Sequence, residues 1–414
     1  MFLSKSGSKI KKMLQFEIRT GEQVMKNFIL DVNTPVMINA LKSLGYVYKV
    51  KPGKKFTEVP KDGFSEITFP KEDFEDMTNI LHYFKSKELT DVISFNENTR
   101  KFWYEFAKKT GTSTNLKKAY IFNQNKINAR RKINSVTTNQ VKWYTVEEFL
   151  RLAPEKQNFP VIIKPRIGKG SVKVHKCDNL GALKTFLSYE DGSKFFIEEF
   201  INGQEFSIEG IHANGCHTIY GVTSKIKYDG TTVEAGHISN LVHLTSSQHA
   251  ELMKIYDALE YSDIVSHTEV MIKPDGSLFY VESHPRLGGD LIPTLTLPEF
   301  SEDFYQLVMK ITTGQAPEFA LNTQNTTRFS LFPEPKKFPA KFTYSQENLV
   351  YLKQKFGCYL VLPSFPSGQL ITGVPSSSYD RPIAVAGEIS STDKVSSAID
   401  NILAYCEENL IELG

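Results

Sequence analysis

The stretch His267-Thr268-Glu269-Val270-Met271-Ile272-Lys273-Pro274-Asp275-Gly276-Ser277-Leu278-Phe279-Tyr280-Val281-Glu282-Ser283-His284-Pro285-Arg286-Leu287-Gly288-Gly289-Asp290 carries the most specific signal in the chain. Two runs rich in apolar residues flank a Lys273–Gly276 turn, the pattern of paired antiparallel strands. On such strands Glu269 and Glu282 can face one side. Two carboxylates held close together repel and call for a counter-ion. Mg2+ takes oxygen ligands and keeps positions open for phosphate oxygens. Arg286, with Gly288 and Gly289 beside it, offers a guanidinium to a phosphoryl or carboxylate oxygen where the backbone permits close approach. A surface ion-pair patch on a hairpin is the plainer explanation, and the apolar flanks argue against it.

Upstream, Phe159-Pro160-Val161-Ile162-Ile163-Lys164-Pro165 is a buried strand that ends in a lysine. A charge there is costly unless something anionic meets it. Arg166-Ile167-Gly168-Lys169-Gly170-Ser171-Val172 follows, with glycines that let backbone N–H groups approach phosphate oxygens. It lacks the Gly-Lys-[Ser/Thr] ending of a Walker A loop, and a strand, Val172 to Val174, is expected after it. Alone, Gly-x-Gly describes a tight turn; next to Lys164 it favours a phosphate site. Ile197-Glu198-Glu199-Phe200-Ile201-Asn202-Gly203-Gln204-Glu205 places two acids at a strand end and a third past a glycine turn, which is also how a solvated strand end looks.

Around these motifs the chain changes texture. Residues 1–13 read as a basic, solvated tail without the apolar segment of a secretory signal. Residues 14–115 alternate strands (Leu14–Arg19, Tyr46–Val50, Asp91–Phe95) with helices (Pro35–Leu44, Lys71–Lys87, Thr99–Lys109), as in a parallel, doubly wound sheet. A cationic run, Lys126 to Lys132, and a capping-box signature, Thr145-Val146-Glu147-Glu148, come next. A helix is expected from Asp178 to Leu187. Asn214-Gly215 joins two strands as a hairpin. A helix from Ser247 to Leu259 precedes the opening stretch. Residues 326–414 form a small α/β module that closes in an amphipathic helix with Val395, Ile399, Ile402, Leu403 and Cys406 on one face.

The 414 residues suggest about three compact units. Lys plus Arg is 49 and Asp plus Glu is 47, a balance unlike that of a protein that coats nucleic acid. No apolar run approaches the roughly 18–20 residues of a membrane helix. The four cysteines lie far apart, which gives neither a zinc site nor a disulfide framework and points to a reducing, cytoplasmic setting.

In order and kind these motifs resemble the ATP-grasp superfamily of carboxylate–amine ligases, and the L-amino-acid ligases within it. The resemblance implies an N-terminal doubly wound α/β domain (14–115), a central two-lobed nucleotide-binding domain (116–325, small lobe about 125–200) and a small C-terminal α+β module (326–414). It implies ATP and Mg2+. Lys126 and Lys164 match the two nucleotide lysines, and Gly168, Gly170 and Ser171 the phosphate-covering loop. Glu198, Glu199 and Ile201 match the adenine hinge, and Glu205 the acid that bonds the ribose. Glu269 and Glu282 match the magnesium-bridging glutamates, and Arg286 the arginine on the transferring phosphate. The family usually has Asn at His284, so three roles stay open for this imidazole: direct ligand, support of a ligand, or a shift toward Mn2+. Val233-Glu234-Ala235-Gly236-His237 resembles the substrate loop, which makes Glu234 and His237 substrate-site candidates with Arg286, Gly288 and Gly289.

The implied activity joins a small-molecule carboxylate to an amine through an acyl phosphate. The amine is free, peptidic or held on a carrier protein, no nucleic acid or membrane takes part, and a homodimer through the C-terminal module is possible. Two alternatives stand beside it. One is a bicarbonate-using carboxylase or carbamoyl-phosphate-type enzyme, although Leu287 to Pro293 is typical of neither. The other is an inactive ATP-binding regulatory module.

Overall fold

The computed structural model describes residues 26–32, 35–297, 303–315, 317–321, 326–389 and 395–413. The basic tail and the strand expected at Leu14–Arg19 lie outside these residues. The first described strand is β1 (Asn27–Asp31), whose Phe28, Ile29 and Leu30 are fully buried. With β2 (Tyr46–Gly53), β3 (Thr57–Lys61), β4 (Phe64–Pro70), β5 (Asp91–Ser94) and β6 (Ser113–Thr114) it forms a sheet in the order β3-β4-β2-β1-β5-β6. Every pairing is parallel except β3 with β4. The chain winds outward from β1 and then returns to its other side. The switch point of the sheet therefore opens between the carboxyl ends of β1 and β5, where ligands bind in folds of this class. Ser94 donates to Asp31 across that gap at 2.8 Å, and the loop that leaves β5 delivers Glu97.

The helix expected over Lys71–Lys87 is two helices, Asp73–Asp76 and Thr78–Phe84. Met77 between them takes a left-handed φ of 68°, and the Asp76 carboxylate accepts the Thr78 N–H at 2.6 Å. A short acidic side chain that competes for local backbone donors ends the first turn, although the apolar spacing continues. Gly45 closes the preceding helix because a Cβ there would come within 2.2 Å of the Lys26 carbonyl oxygen.

A second, antiparallel sheet has the order β7-β10-β8-β9, from β7 (Trp143–Thr145), β8 (Val161–Pro165), β9 (His175–Cys177) and β10 (Phe195–Glu199). Thr145 and Glu148 cap the helix Val146–Arg151 reciprocally, as their spacing predicts. Asn179 caps the helix Leu180–Leu187. The strand expected at Val172–Val174 is a turn. Ser171 and Lys173 have φ of 56° and 59°, which an extended chain cannot contain, and pairing starts only at His175.

The third sheet frames the site. It takes β11 (Gln204–Ala213), β12 (Cys216–Lys227), β13 (Glu234–Ser239), β14 (Ile264–Ile272), β15 (Leu278–His284) and β16 (Thr327–Leu331). Four strands of the C-terminal segment follow: β17 (Ala340–Phe342), β18 (Cys358–Pro363), β19 (Gln369–Ile371) and β20 (Ile383–Ile389), with β21 (Ile411–Leu413) last. The eight-stranded order is β15-β14-β11-β12-β13-β16-β20-β18, and β19-β17-β21 is separate. β16 of the C-terminal segment therefore pairs directly with β13, with Gly236 opposite Leu331 and Ile238 opposite Phe329. Asn214 and Gly215 turn the β11–β12 hairpin with φ of 55° and 73°, as a type I′ turn requires. One face of β11 and β14, with Phe206, Ile208 and Val270, packs in a common core with Leu252 and Ile255 of the helix Ser246–Leu259. Val395, Ile399, Ile402 and Cys406 of the helix Val395–Leu410 are buried in the C-terminal core. The four cysteines are free thiols, and among the described residues no helix is long and apolar enough to cross a membrane.

Candidate active site

Strand alternation sends Glu205, Ser207 and Glu209 of β11 to the face opposite Phe206 and Ile208. Register adds Thr223 and Lys225 of β12, His237 of β13 and His267 and Glu269 of β14 to that polar face. Glu269 is paired directly with Glu282 on β15, as the opening stretch predicts, and a bulge follows Glu269. Like charges directly opposite each other destabilise a sheet. Here each is matched by a cation. Lys225 Nζ lies 2.6 Å from Glu269 Oε1, and Lys126 Nζ bonds Glu282. Burial works to raise both carboxyl groups, but Lys225 holds Glu269, and Lys126 with His284 holds Glu282, well below the ordinary carboxylate range.

Lys225 is the hub of this face. Its side chain is 1% exposed and also meets Glu205 at 2.8 Å and Glu234 at 3.3 Å. Burial would lower its pKa, yet Glu205, Glu269 and Glu234 together raise it well above that of a free lysine. Beside it, His267 Nδ1 lies 2.6 Å from Glu209 Oε1, and its Nε2 lies 3.3 Å from Glu269. Burial opposes the charge, but Glu209 lifts this imidazole to about 9, so it is a cation at neutral pH. The other Glu209 oxygen accepts the Gly288 N–H at 3.2 Å. A Cβ on Gly288 would lie 3.0 Å from His267 Nδ1 and 3.1 Å from Glu209 Oε1, so a larger residue here would press on this ion pair.

Two cavities meet at these carboxylates. One, of about 410 Å3, is lined by Lys126, Lys164, Gly168, Glu198, Ile201 and Glu205, among others. Glu199 also faces it, and the Glu199 side chain accepts the Lys142 N–H at 2.7 Å. The other, of about 560 Å3, is lined by Gly170, His237, His284, Arg286, Gly288 and Gly289, among others. Ser171, Glu234, Glu269 and Glu282 border both. The expected nucleotide residues thus gather in one cavity except Gly170, which borders the other. The expected substrate residues gather in the larger cavity. Glu234 and His237 lie on β13, so the loop expected there is a strand; its pairing with β12 and β16 satisfies its backbone on both edges.

The smaller cavity carries charges of both signs, and several of its cations are paired with its own acids. Lys164 Nζ lies 2.8 Å from Glu198 Oε2, and Arg130 Nε lies 2.6 Å from Glu198 Oε1. Arg130 also donates to the Tyr280 carbonyl at 2.6 Å and lies over the Tyr280 ring at 5.1 Å. Burial raises Glu198, but Arg130 and Lys164 keep it ionised. Glu205 takes Lys227 at 2.5 Å on its second oxygen.

In the larger cavity Glu97 reaches over from the first sheet to Arg286, 2.5 Å from both Nε and Nη2. Burial would raise Glu97, but His284 and Arg286 hold it at about 2. His284 lies between Glu97 at 3.4 Å and Glu282 at 3.2 Å, and burial keeps its pKa below that of a free histidine. Asp290 is clamped by both guanidinium nitrogens of Arg381, at 3.0 and 2.5 Å. The Arg381 guanidinium stacks on Phe332 at 3.7 Å. Against burial, His237 and Arg381 hold Asp290 far below the usual range.

The donor set on the dividing wall fits a hard divalent cation. Glu269 and Glu282 present ionised oxygens at the border of both cavities, the chemistry Mg2+ takes. His284 adds a neutral nitrogen, which suits Mn2+ better. Carboxylate oxygens of Glu205, Glu234 and Glu269 also lie within 4.8 Å of one another, but Lys225 already supplies a positive charge to that group.

Residues 157–294 match the ATP-grasp domain family. No curated protein sequence matches the chain. Among solved structures, the L-amino acid ligase of Bacillus licheniformis aligns with a TM-score of 0.73 at 18% identity, covering 91% of this chain and 96% of that one. N5-carboxyaminoimidazole synthetase from Staphylococcus aureus, complexed with ADP, gives 0.66 at 13% identity over 91% and 97%. The biotin carboxylase domain of the Hydrogenobacter thermophilus 2-oxoglutarate carboxylase, in complex with MgADP and bicarbonate, gives 0.65 at 15% over 94% and 91%. Residues 157–294 thus match the ATP-grasp domain family, and over 91% or more of its length the chain has the fold of these ATP-grasp structures.

Proposed function

We propose that the protein is an ATP-dependent carboxylate–amine ligase that forms an amide from an amino acid or a related carboxylate. The observation that carries this is the dividing wall: Glu269 and Glu282 border two adjoining cavities, a smaller one that gathers Lys126, Lys164 and Arg130 and a larger one that gathers Arg286 and Arg381, each with acids as well. ATP occupies the first. Lys126 and Lys164 neutralise its phosphates, Glu198 to Ile201 face the base, and Glu205 the ribose. Lys225, at the junction of the two cavities, adds a further cation where the terminal phosphate meets the second substrate. The substrate carboxylate oxygen attacks the γ-phosphorus, the β–γ bridging bond breaks, and ADP leaves. An amine then attacks the carbonyl carbon of the acyl phosphate; phosphate leaves, the nitrogen loses a proton, and the amide remains.

Positioning and charge neutralisation supply most of the rate in such transfers. A divalent cation held by Glu269 and Glu282, with His284 nearby, would neutralise phosphate charge and order the triphosphate. Arg286 is held by Glu97 and faces the larger cavity, where it can exchange that carboxylate for a phosphoryl or carboxylate oxygen. Arg286, Arg381, Glu234 and Asp290 give the larger cavity charges of both signs, which suit a small zwitterion better than a purely anionic substrate. The glycine loop excludes water from the acyl phosphate.

A screen of ADP release over pairs of amino acids, with mass spectrometry of products, tests this. ADP release should require both partners and yield an amide, and Glu282→Ala should abolish it while leaving the denaturation profile folded. ADP release driven by bicarbonate alone, with no amide formed, would replace this proposal with the carboxylase alternative. Nucleotide binding without turnover on any pair would favour a regulatory module.

A further inference from the structure

A third cavity, of about 60 Å3, lies where the helix Arg100–Thr110 meets the helices Lys118–Asn123 and Lys126–Asn134 and strand β15. Its lining includes Glu97, Arg100, Asn123, Lys126, Tyr261 and Glu282. Arg100 is 1% exposed, and its Nε and Nη2 have no protein partner. Those two N–H groups form the side-on edge of the guanidinium, spaced to meet two oxygens of a single oxyanion. The carboxamide of Asn123 also leaves both its polar atoms buried without a partner.

The local charges do not balance. Lys126 is paired with Glu282, and Arg286 with Glu97. Glu97 is the acid closest in effect to Arg100, but it is already shared between Arg286 and His284. A guanidinium remains protonated in a protein, and a buried, unpaired cation is strongly disfavoured. The volume suits a few waters or one small oxyanion, and only the latter supplies the missing charge.

We infer that this cavity binds one small oxyanion of the phosphate class, through the side-on edge of Arg100 with Asn123 beside it, next to the triphosphate cavity with which it shares Lys126, Gly168, Lys169 and Glu282. The inference does not depend on the ligase proposal. Arg100 itself borders neither larger cavity. Glu97 borders both the oxyanion cavity and the substrate cavity, so an anion at Arg100 would bear directly on the carboxylate that holds Arg286.

The test uses the full chain with AMP-PNP and Mg2+ in saturating amounts, so that the triphosphate cavity is filled, and titrates inorganic phosphate by calorimetry. One saturable site is expected. Arg100→Met should weaken it at least tenfold, and Asn123→Leu several-fold, with AMP-PNP affinity unchanged in both. Lys164→Ala should weaken AMP-PNP binding in a nucleotide titration and, in a separate phosphate titration without nucleotide, keep phosphate binding at Arg100, which separates failure of this site from failure of the nucleotide assignment. In case Arg100→Met does not fold, crystals of the unaltered protein soaked in selenate give an independent answer. An anomalous peak within hydrogen-bonding distance of Arg100 Nε and Nη2 supports the site. Water alone at that edge, or equal phosphate binding with and without Arg100, overturns it.

Discussion

Replacing Lys225 with Met removes a buried ammonium that touches Glu269, Glu205 and Glu234 at 2.6, 2.8 and 3.3 Å. The side chain that replaces it is of similar length, so the change is chiefly in charge. Three carboxylates then remain with oxygens within 4.8 Å of one another. At an effective dielectric of about 20, each such pair repels by about 3.5 kcal/mol. Removing one partner of a buried ion pair costs about 3–5 kcal/mol. Protonation of one carboxylate caps the loss near that range, so Lys225→Met should lower unfolding free energy by about 3–5 kcal/mol near neutral pH. The pH dependence follows from the native protein. Glu205 and Glu269 are held below the ordinary carboxylate value, so their pairing with Lys225 stabilises the fold above that value and fades as acid protonates them. The gap between native protein and variant should therefore narrow below about pH 4.5. Mn2+ should recover part of the lost stability in the variant, because an ion can take the position of the ammonium among three oxygens. Urea denaturation near pH 7.5 and pH 4, with and without Mn2+, measures all of this. A gap that is the same at both pH values and indifferent to Mn2+ would show that Lys225 does not organise these acids.

Two further outcomes are expected. Glu97 is held at about 2 by His284 and Arg286 despite its burial, so its contribution is present above about pH 4.5 and disappears as pH falls toward that lower value. Glu97→Gln should therefore cost on the order of 3 kcal/mol at neutral pH and flatten the acid limb of a thermal stability profile; an unchanged acid limb would contradict the pairing. Gly288→Ala would place a Cβ 3.0 Å from His267 Nδ1 and 3.1 Å from Glu209 Oε1, a clash worth about 1–3 kcal/mol. Thermal denaturation should show that loss, and ADP release should fall with it as His267 is pushed off Glu269.

The parts of the site that lie in contiguous motifs were legible from residue type and spacing. Lys164 follows an apolar strand, and Glu269 and Glu282 sit on two runs joined by a tight turn, so local pattern alone brought them together. The residues that complete the site carry no local mark. Glu97 is a loop acid 189 positions from the Arg286 it holds. Lys225 sits in a strand of mixed polarity that looks solvated in isolation. Arg130 is one of several cations in a helix, and Arg381 meets Asp290 from a segment 91 positions away. One signal was available and unused. Glu205, Ser207 and Glu209 alternate with Phe206 and Ile208, and Lys225 and Lys227 flank Ile226, which marks one sheet face as too charged for a core. The break at Met77 and the late start of β9 were not legible, because both depend on left-handed residues other than glycine, which sequence pattern does not flag.

The unbroken run of strands from β13 through β16 to β20 changes what the final ninety or so residues are for. They continue the sheet that carries Glu269 and Glu282, and Arg381 and Tyr379 from this segment form part of the wall of the larger cavity, beside Gly170 of the glycine loop. Among the described residues, none of theirs borders the smaller cavity. Drift in this region would thus retune which molecules are accepted while leaving the machinery that handles phosphate untouched, a division of labour by which one scaffold can diversify its choice of cargo without rebuilding its motor.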